Sequence, residues 1–162
     1  MRYKNWKVAS PNREGRQALE REGVHPLLAA VLAARGLCSV EQARGFLSGQ
    51  TLCDGMSMVD MDRAVRRVRR ALEDNEIIAV YGDYDVDGIT ATCLLTEYLR
   101  GAGGRVIPYI PDRLEEGYGL NREAVSTLVR EGVTLIVTVD CGITAVDEVI
   151  WADSLGVDVV VT

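Results

Sequence analysis

Asp83, Asp85 and Asp87 place three carboxylates within five residues, in the run Gly82-Asp83-Tyr84-Asp85-Val86-Asp87-Gly88. Carboxylates this close repel one another, and an unpaired charge taken out of water costs several kcal/mol or is forced towards neutrality, so a bound cation is the usual remedy. An all-oxygen ligand set suits magnesium, manganese or calcium rather than zinc. A fourth acid, Asp140, directly follows a separate apolar run, Leu135 to Val139.

Those acids are positioned by a regular alternation of elements. Apolar runs at 77–81, 105–110, 135–139 and 157–161 read as strands, and the stretches between them read as helices at about 89–100, 122–131 and from a Thr144 cap to about Leu155. Continuous apolar strands alternating with helices predict an α/β fold, a parallel sheet of about four strands covered by helices. Ligands of such sheets bind beyond the carboxyl ends of the strands, where Asp83, Asp85, Asp87 and Asp140 would meet. A small helical region, 1–74, precedes this α/β domain, 75–162. In it Pro26 opens one helix that Gly36 stops, and Ser39 with Gln42 forms a capping box for a second, with Phe46 and Leu47 on its inner face. A third helix runs from Asp60 to near Asp74 with a stripe of Met61, Val65, Val68 and Leu72, and its Arg63, Arg66, Arg67, Arg69 and Arg70 read as a solvated basic face in preference to the alternative, a phosphate-binding one. Residues 1–24 carry little pattern beyond Trp6, Val8 and Leu19, and 48–57 reads as a loop.

Composition narrows the class. The chain has 162 residues, 48% of them hydrophobic, enough for a full core. No apolar stretch approaches the roughly 20 residues of a membrane span and the start lacks the apolar centre of a signal peptide, so a cytoplasmic location is expected. Residues 1–74 hold 13 Lys and Arg against 9 Asp and Glu, whereas 75–162 hold 5 against 15, which puts the acidic excess where a cation would go. Cys38, Cys53, Cys93 and Cys141 are scattered and read as buried reduced thiols, and His25, before Pro26, reads as structural.

Three other readings compete for the Asp-rich loop. An EF-hand fails because Leu94 stands where the loop needs a bidentate Glu. An aspartyl-phosphate phosphatase would have its first Asp at the strand end and Thr four residues on; Ile89 stands four after Asp85, which weakens that reading and leaves it second choice. A plain Asp-Gly turn leaves the placement of Asp140 unexplained.

The segments Tyr81-Gly-Asp-Tyr-Asp-Val-Asp-Gly-Ile-Thr90, Ile110-Pro-Asp-Arg-Leu-Glu-Glu-Gly-Tyr-Gly-Leu120 and Val139-Asp-Cys-Gly-Ile-Thr144 resemble the opening motifs of the RecJ family of single-stranded-DNA-specific exonucleases, in the DHH phosphoesterase superfamily. Arg35-Gly36, Phe46-Leu47 and Met61-Asp62-x-Ala64 fit the same family's N-terminal region. The resemblance implies a two-metal hydrolase using Mn2+ or Mg2+ that removes nucleotides from the 5' end of single-stranded DNA in repair and recombination. It implies that Asp83, Asp85, Asp87 and Asp140 are metal-binding acids, with Asp83 taking the role that a His two residues earlier, here Tyr81, plays in other branches. It implies a DNA phosphate contact for Arg113, whose alternative is an ion pair with Glu115 or Glu116. Tyr118, between Gly117 and Gly119, reads equally as a ring for base stacking and as packing of the loop onto the sheet. A single-stranded-DNA-binding protein and a RecQ-type helicase are the implied partners. The Asp-His-His triplet that names the superfamily would begin where this chain stops, and His25 is its only histidine, so the chain is expected to be an N-terminal piece with little or no nuclease activity alone. Alternatives are a phosphoesterase of short oligonucleotides or cyclic dinucleotides, and a non-catalytic α/β binding module.

Overall fold

The structure is a computed structural model that describes residues 7–49 and 54–162. The chain divides into two compact units between Ser57 and Met58.

In the first unit three helices are closed at their N-termini by side chains. Asn12 caps α1 (Arg13–Arg21), His25 caps α2 (Pro26–Ala34) through a 3.3 Å bond from Leu27 N–H to Nδ1, and Ser39 caps α3 (Val40–Ser48). The capping box is present: Gln42 N–H donates to Ser39 Oγ, and Gln42 Oε1 accepts from the Ser39 N–H. Leu19, Ala29, Leu32 and Ala43 form the core. Helix α1 was not legible in the weak pattern of 1–24; its buried contribution is Gly15 and Leu19 alone. Two expectations are corrected. Val8 is exposed rather than an anchor, and Phe46 and Leu47 are 56% and 58% exposed, because the core contacts of α3 end at Ala43, one turn short of them. Trp6 and Cys53, and part of the 48–57 loop, lie outside the described residues.

The second unit begins with α4 (Met61–Glu73) and continues as β1 (Ile77–Tyr81), α5 (Val86–Gly101), β2 (Arg105–Tyr109), α6 (Arg122–Arg130), β3 (Val133–Thr138), α7 (Val146–Ser154) and β4 (Asp158–Val161). The four strands are all parallel in the order β2-β1-β3-β4. Alternation along β1 divides its side chains between two cores. Ala79 and Tyr81 join Ala124, Val125, Leu128 and Ile136 on one face, and Ile78 and Val80 join Ala71, Leu99, Leu135 and Val137 on the other. Helices thus cover both faces, as continuous apolar strands require.

Helix α4, which the sequence pattern groups with the N-terminal region, packs Val68, Ala71 and Leu72 against the β1 face and belongs to the second compact unit. Its basic face is only partly solvated. Arg63, Arg66 and Arg70 pair locally with Asp60, Asp62 and Asp74, but Arg67 is 20% exposed and reaches Glu76 at 2.7 Å and Asp158 at 2.5 Å, with Thr134 Oγ1 donating to the same Glu76 carboxylate at 2.6 Å. Arg67 therefore ties α4 to the ends of β1, β3 and β4. The thiol reading also changes: Cys141 is buried, Cys38 is half-buried and Cys93 is exposed on α5.

Candidate metal centre

Strand order decides where a site forms. The chain leaves β1 through α5 to β2 on one side and returns through α6 to β3 on the other, so the carboxyl ends of β1 and β3 flank the topological switch point. Beyond the strands the ladder continues for a residue on each side: Val139 N–H donates to the Tyr81 carbonyl at 2.8 Å and Gly82 N–H to the Tyr109 carbonyl at 3.1 Å.

The β1–α5 loop then turns tightly. Asp83 is 1% exposed and its Oδ1 accepts the Asp85 N–H at 3.1 Å. Asp85 is the N-cap of α5, with Oδ1 accepting from the N–H groups of Asp87 at 2.9 Å and Gly88 at 3.2 Å. This cap starts α5 at Val86, three residues before the sequence pattern suggested, and places Asp87 in the first helical turn. Close approach explains both glycines. A Cβ on Gly88 would lie 2.0 Å from Asp83 Oδ1 and 2.7 Å from Asp83 N and O, and one on Gly82 would lie 2.1 Å from Thr92 Oγ1.

The β3–α7 loop supplies the fourth acid from a left-handed residue, Asp140 at φ 57°, a conformation Asp tolerates better than bulkier side chains. Behind it Gly142, at φ 100°, lies so close to Thr138 that a Cβ would fall 2.8 Å from its Oγ1, and that hydroxyl donates to the Cys141 carbonyl at 2.9 Å. Thr144 does not cap the following helix; Ala145 occupies the N-cap of α7 and gives it no side-chain bond.

These turns bring one carboxylate oxygen each from Asp83, Asp85 and Asp140 within 4.8 Å of one another. Asp87 is exposed and outside the cluster, where its charge faces the N-terminal end of the α5 dipole. Burial, and then the charges of Asp85 and Asp140, raise Asp83 above the ordinary carboxylate value despite the opposing backbone hydrogen bond. Burial, with Asp83 and Asp140, likewise pushes the Cys141 thiol up to about 11, which keeps it protonated and a poor metal ligand at neutral pH. The donor set is three hard oxygens, one of them buried with no ion pair to a cationic side chain among the described residues, and this fits Mn2+ or Mg2+.

The loop 111–120 stands beside the cluster. It is tied down by Tyr81, whose buried hydroxyl donates to the Gly119 carbonyl at 2.8 Å, and by Glu116, which accepts from the Tyr109 hydroxyl and the Asp112 N–H, both at 2.8 Å. Arg113 makes no ion pair with Glu115 or Glu116; its guanidinium carbon lies 5.2 Å from the centroid of the Tyr84 ring. Tyr118 is 67% exposed and meets Tyr84 edge-on at 6.1 Å between centroids. Partial desolvation, followed by the charges of Asp83, Cys141, Asp140 and Asp85, raises the Tyr118 phenol above its ordinary value, placing it within the field of the cluster. Sequence reasoning found Arg113 and Tyr118 but passed over Tyr84, whose only signal was an aromatic between two acids. A cleft of about 230 Å³ beside Tyr118 is lined by Gly119, Gly142, Thr144 and Glu148. A roomier cleft of about 360 Å³ between α4 and β4 gathers no comparable donors, since its Arg63, Arg67, Asp60 and Asp158 already pair with one another.

Comparisons with known proteins identify relatives of this chain. The model of the DHH family, N-terminal domain, matches residues 77–162. The single-stranded-DNA-specific exonuclease RecJ of Bacillus subtilis is 39% identical over 160 residues, 97% of this chain and 20% of the relative, and that of Dickeya dadantii is 41% identical over 137 residues, 84% and 23%. Among solved structures, exonuclease RecJ bound to manganese superposes with a TM-score of 0.58 at 44% identity over 62% of this chain and 26% of that one. RecJ from Thermus thermophilus in complex with Mn2+ superposes with a TM-score of 0.57 at 28% identity, over 95% of this chain and 21% of that one. The chain spans about a fifth of the length of the relatives it matches. On the strength of the match over 77–162 and of the sheet that carries it, the chain belongs to the DHH family, and its α/β region is that family's N-terminal domain.

Proposed function

We propose that the chain is the N-terminal part of a metal-dependent 5'-to-3' exonuclease of single-stranded DNA that acts in DNA repair and recombination in the cytoplasm. The observation that carries this reading is the meeting of Asp83, Asp85 and Asp140 at the switch point between β1 and β3. Asp83, Asp85 and Asp140 hold Mn2+ or Mg2+, and Asp87, in the first turn of α5, supports the loop and adds negative potential. When bound, such cations activate water and neutralise charge on a phosphodiester. The protein's own groups do the rest. Asp83, fixed by the Asp85 N–H and walled in by Gly88, holds its oxygen in place without reorganisation. Arg113 neutralises a backbone phosphate, and Tyr118 offers an exposed ring on which a base stacks.

Three carboxylates suffice for one cation site and leave a second short of ligands, so the 162-residue chain alone shows little or no nuclease activity. Two partners, a single-stranded-DNA-binding protein and a RecQ-type helicase, follow from the same reading. No helix among the described residues is long and apolar enough to cross a membrane, which is compatible with the proposed location.

Titration calorimetry with MnCl2 on the wild type, Asp85→Ala and Asp140→Ala tests the site, with circular dichroism as a check on folding. Wild-type binding that is lost in both folded variants supports the reading. Unchanged manganese binding in either one refutes it and favours a non-catalytic α/β module.

A further inference from the structure

The Arg113 guanidinium sits 5.2 Å from the Tyr84 ring centroid, and the same ring takes the edge of Tyr118 at 78° and 6.1 Å. Tyr84 itself is part of the acid loop, flanked by Asp83 and Asp85. Arg113 and Tyr118 belong to a different segment, the loop following β2, and both are exposed. An exposed arginine free of carboxylate partners samples many rotamers, and ordering it on a substrate phosphate costs conformational entropy. A half-buried ring from the metal-binding loop removes part of that cost beforehand. The Glu116 carboxylate does not compete for Arg113, since it is already engaged by Tyr109, Asp112 and Asn121.

We propose that Tyr84 is a positioning residue that holds the Arg113 guanidinium and the Tyr118 ring beside the Asp83–Asp85–Asp140 cluster, so that single-stranded DNA is gripped in register with the acids. This rests on the nuclease reading above. Its consequence is a coupling between the two loops: the acid loop carries the ring that Arg113 and Tyr118 of the loop after β2 contact.

The test uses the 162-residue chain, with wild type, Tyr84→Phe, Tyr84→Leu, Arg113→Ala and the Tyr84→Leu/Arg113→Ala double variant. NMR reads the Arg113 side-chain protons, which a ring within cation–π distance shifts upfield, and manganese affinity reports whether the acid loop is intact. Fluorescence anisotropy with a short labelled oligothymidylate at low salt reads substrate binding. The expected result is that Tyr84→Leu abolishes the upfield shift and weakens the oligonucleotide about two- to five-fold, the range for an exposed cation–π contact. Tyr84→Phe keeps both signals, and the double variant loses less affinity than the two single losses combined, the remainder beyond Arg113→Ala being the Tyr118 share. An Arg113 signal indifferent to Tyr84→Leu overturns the proposal, as does full additivity of the two substitutions. A wild type that binds manganese but no oligonucleotide refutes the DNA reading instead, and the NMR comparison then decides the Tyr84 contact by itself.

Discussion

Replacing Asp83 by Asn separates the needs of metal binding from those of folding. Asp83 is buried, and its oxygen lies within 4.8 Å of oxygens from Asp85 and Asp140, so each pair of charges repels by about 3.5 kcal/mol at an effective dielectric constant of ~20 and by about 0.9 kcal/mol in bulk water. Asp85 and Asp140 are exposed, which places the real figure near the lower bound; two pairs together amount to about 2 kcal/mol. Asn keeps the carbonyl oxygen that accepts the Asp85 N–H, and its amide donates towards the two remaining carboxylates. Metal-free Asp83→Asn is therefore more stable than wild type by about 2 kcal/mol, a rise in Tm of roughly 4–8 °C for a chain of this size. Manganese reverses the order: at about 100 times Kd it stabilises the wild type by ~2.7 kcal/mol and leaves the variant nearly unchanged. Thermal unfolding followed by circular dichroism, in EDTA and then in MnCl2, measures both halves. A variant less stable than wild type in EDTA that still gains full stability from manganese would refute the reasoning, because it would show that Asp83 stabilises the fold and does not hold the ion.

Two further outcomes follow from the packing. Gly88→Ala forces a Cβ onto Asp83, whose Oδ1, N and O lie 2.0, 2.7 and 2.7 Å away, and costs about 1–3 kcal/mol together with manganese affinity; Gly101→Ala on the same helix meets nothing within 4 Å and stays within ~1 kcal/mol of wild type. Urea melts of the two variants side by side make the comparison. Arg67→Met removes the cation that holds Glu76 below its ordinary value of 4.5, an effect led by the Arg67 hydrogen bond over the opposing desolvation. A depressed carboxylate contributes stability that is present above its unfolded pKa and lost as pH falls through the folded one, so wild type exceeds Arg67→Met at neutral pH and the gap narrows below about 4.5. A gap that stayed constant from about pH 7 to pH 3 would mean that Arg67 acts by packing alone.

Much of the α/β region was legible because its signals are local. Strands buried on both faces must be apolar throughout, and Ile78 to Tyr81 and Leu135 to Val137 are. Caps read equally well where a side chain closes on its own backbone three residues away, as Ser39 does with Gln42. Local reasoning failed where burial depended on a distant partner. Phe46 and Leu47 have an inward-facing pattern but no core above Ala43, and Arg67 looks like any other arginine of its helix until Glu76, just before β1, and Asp158, at the start of β4, reach it.

The candidate site divides along the same line. Residue types alone placed carboxylate oxygens, donors of the kind a hard cation takes, after two strands and so at the carboxyl edge of a parallel sheet. The strand order β2-β1-β3-β4 made those two strands neighbours, which no local pattern encodes because β2 intervenes in the chain between them. The tertiary structure also selected Asp83, Asp85 and Asp140 and left Asp87 out, since the Asp85 cap turns the backbone into a helix before Asp87 can face the cluster. It brought Arg113 from the loop after β2 onto Tyr84, a contact between residues 29 apart in sequence that exists only because β1 and β2 lie side by side in register.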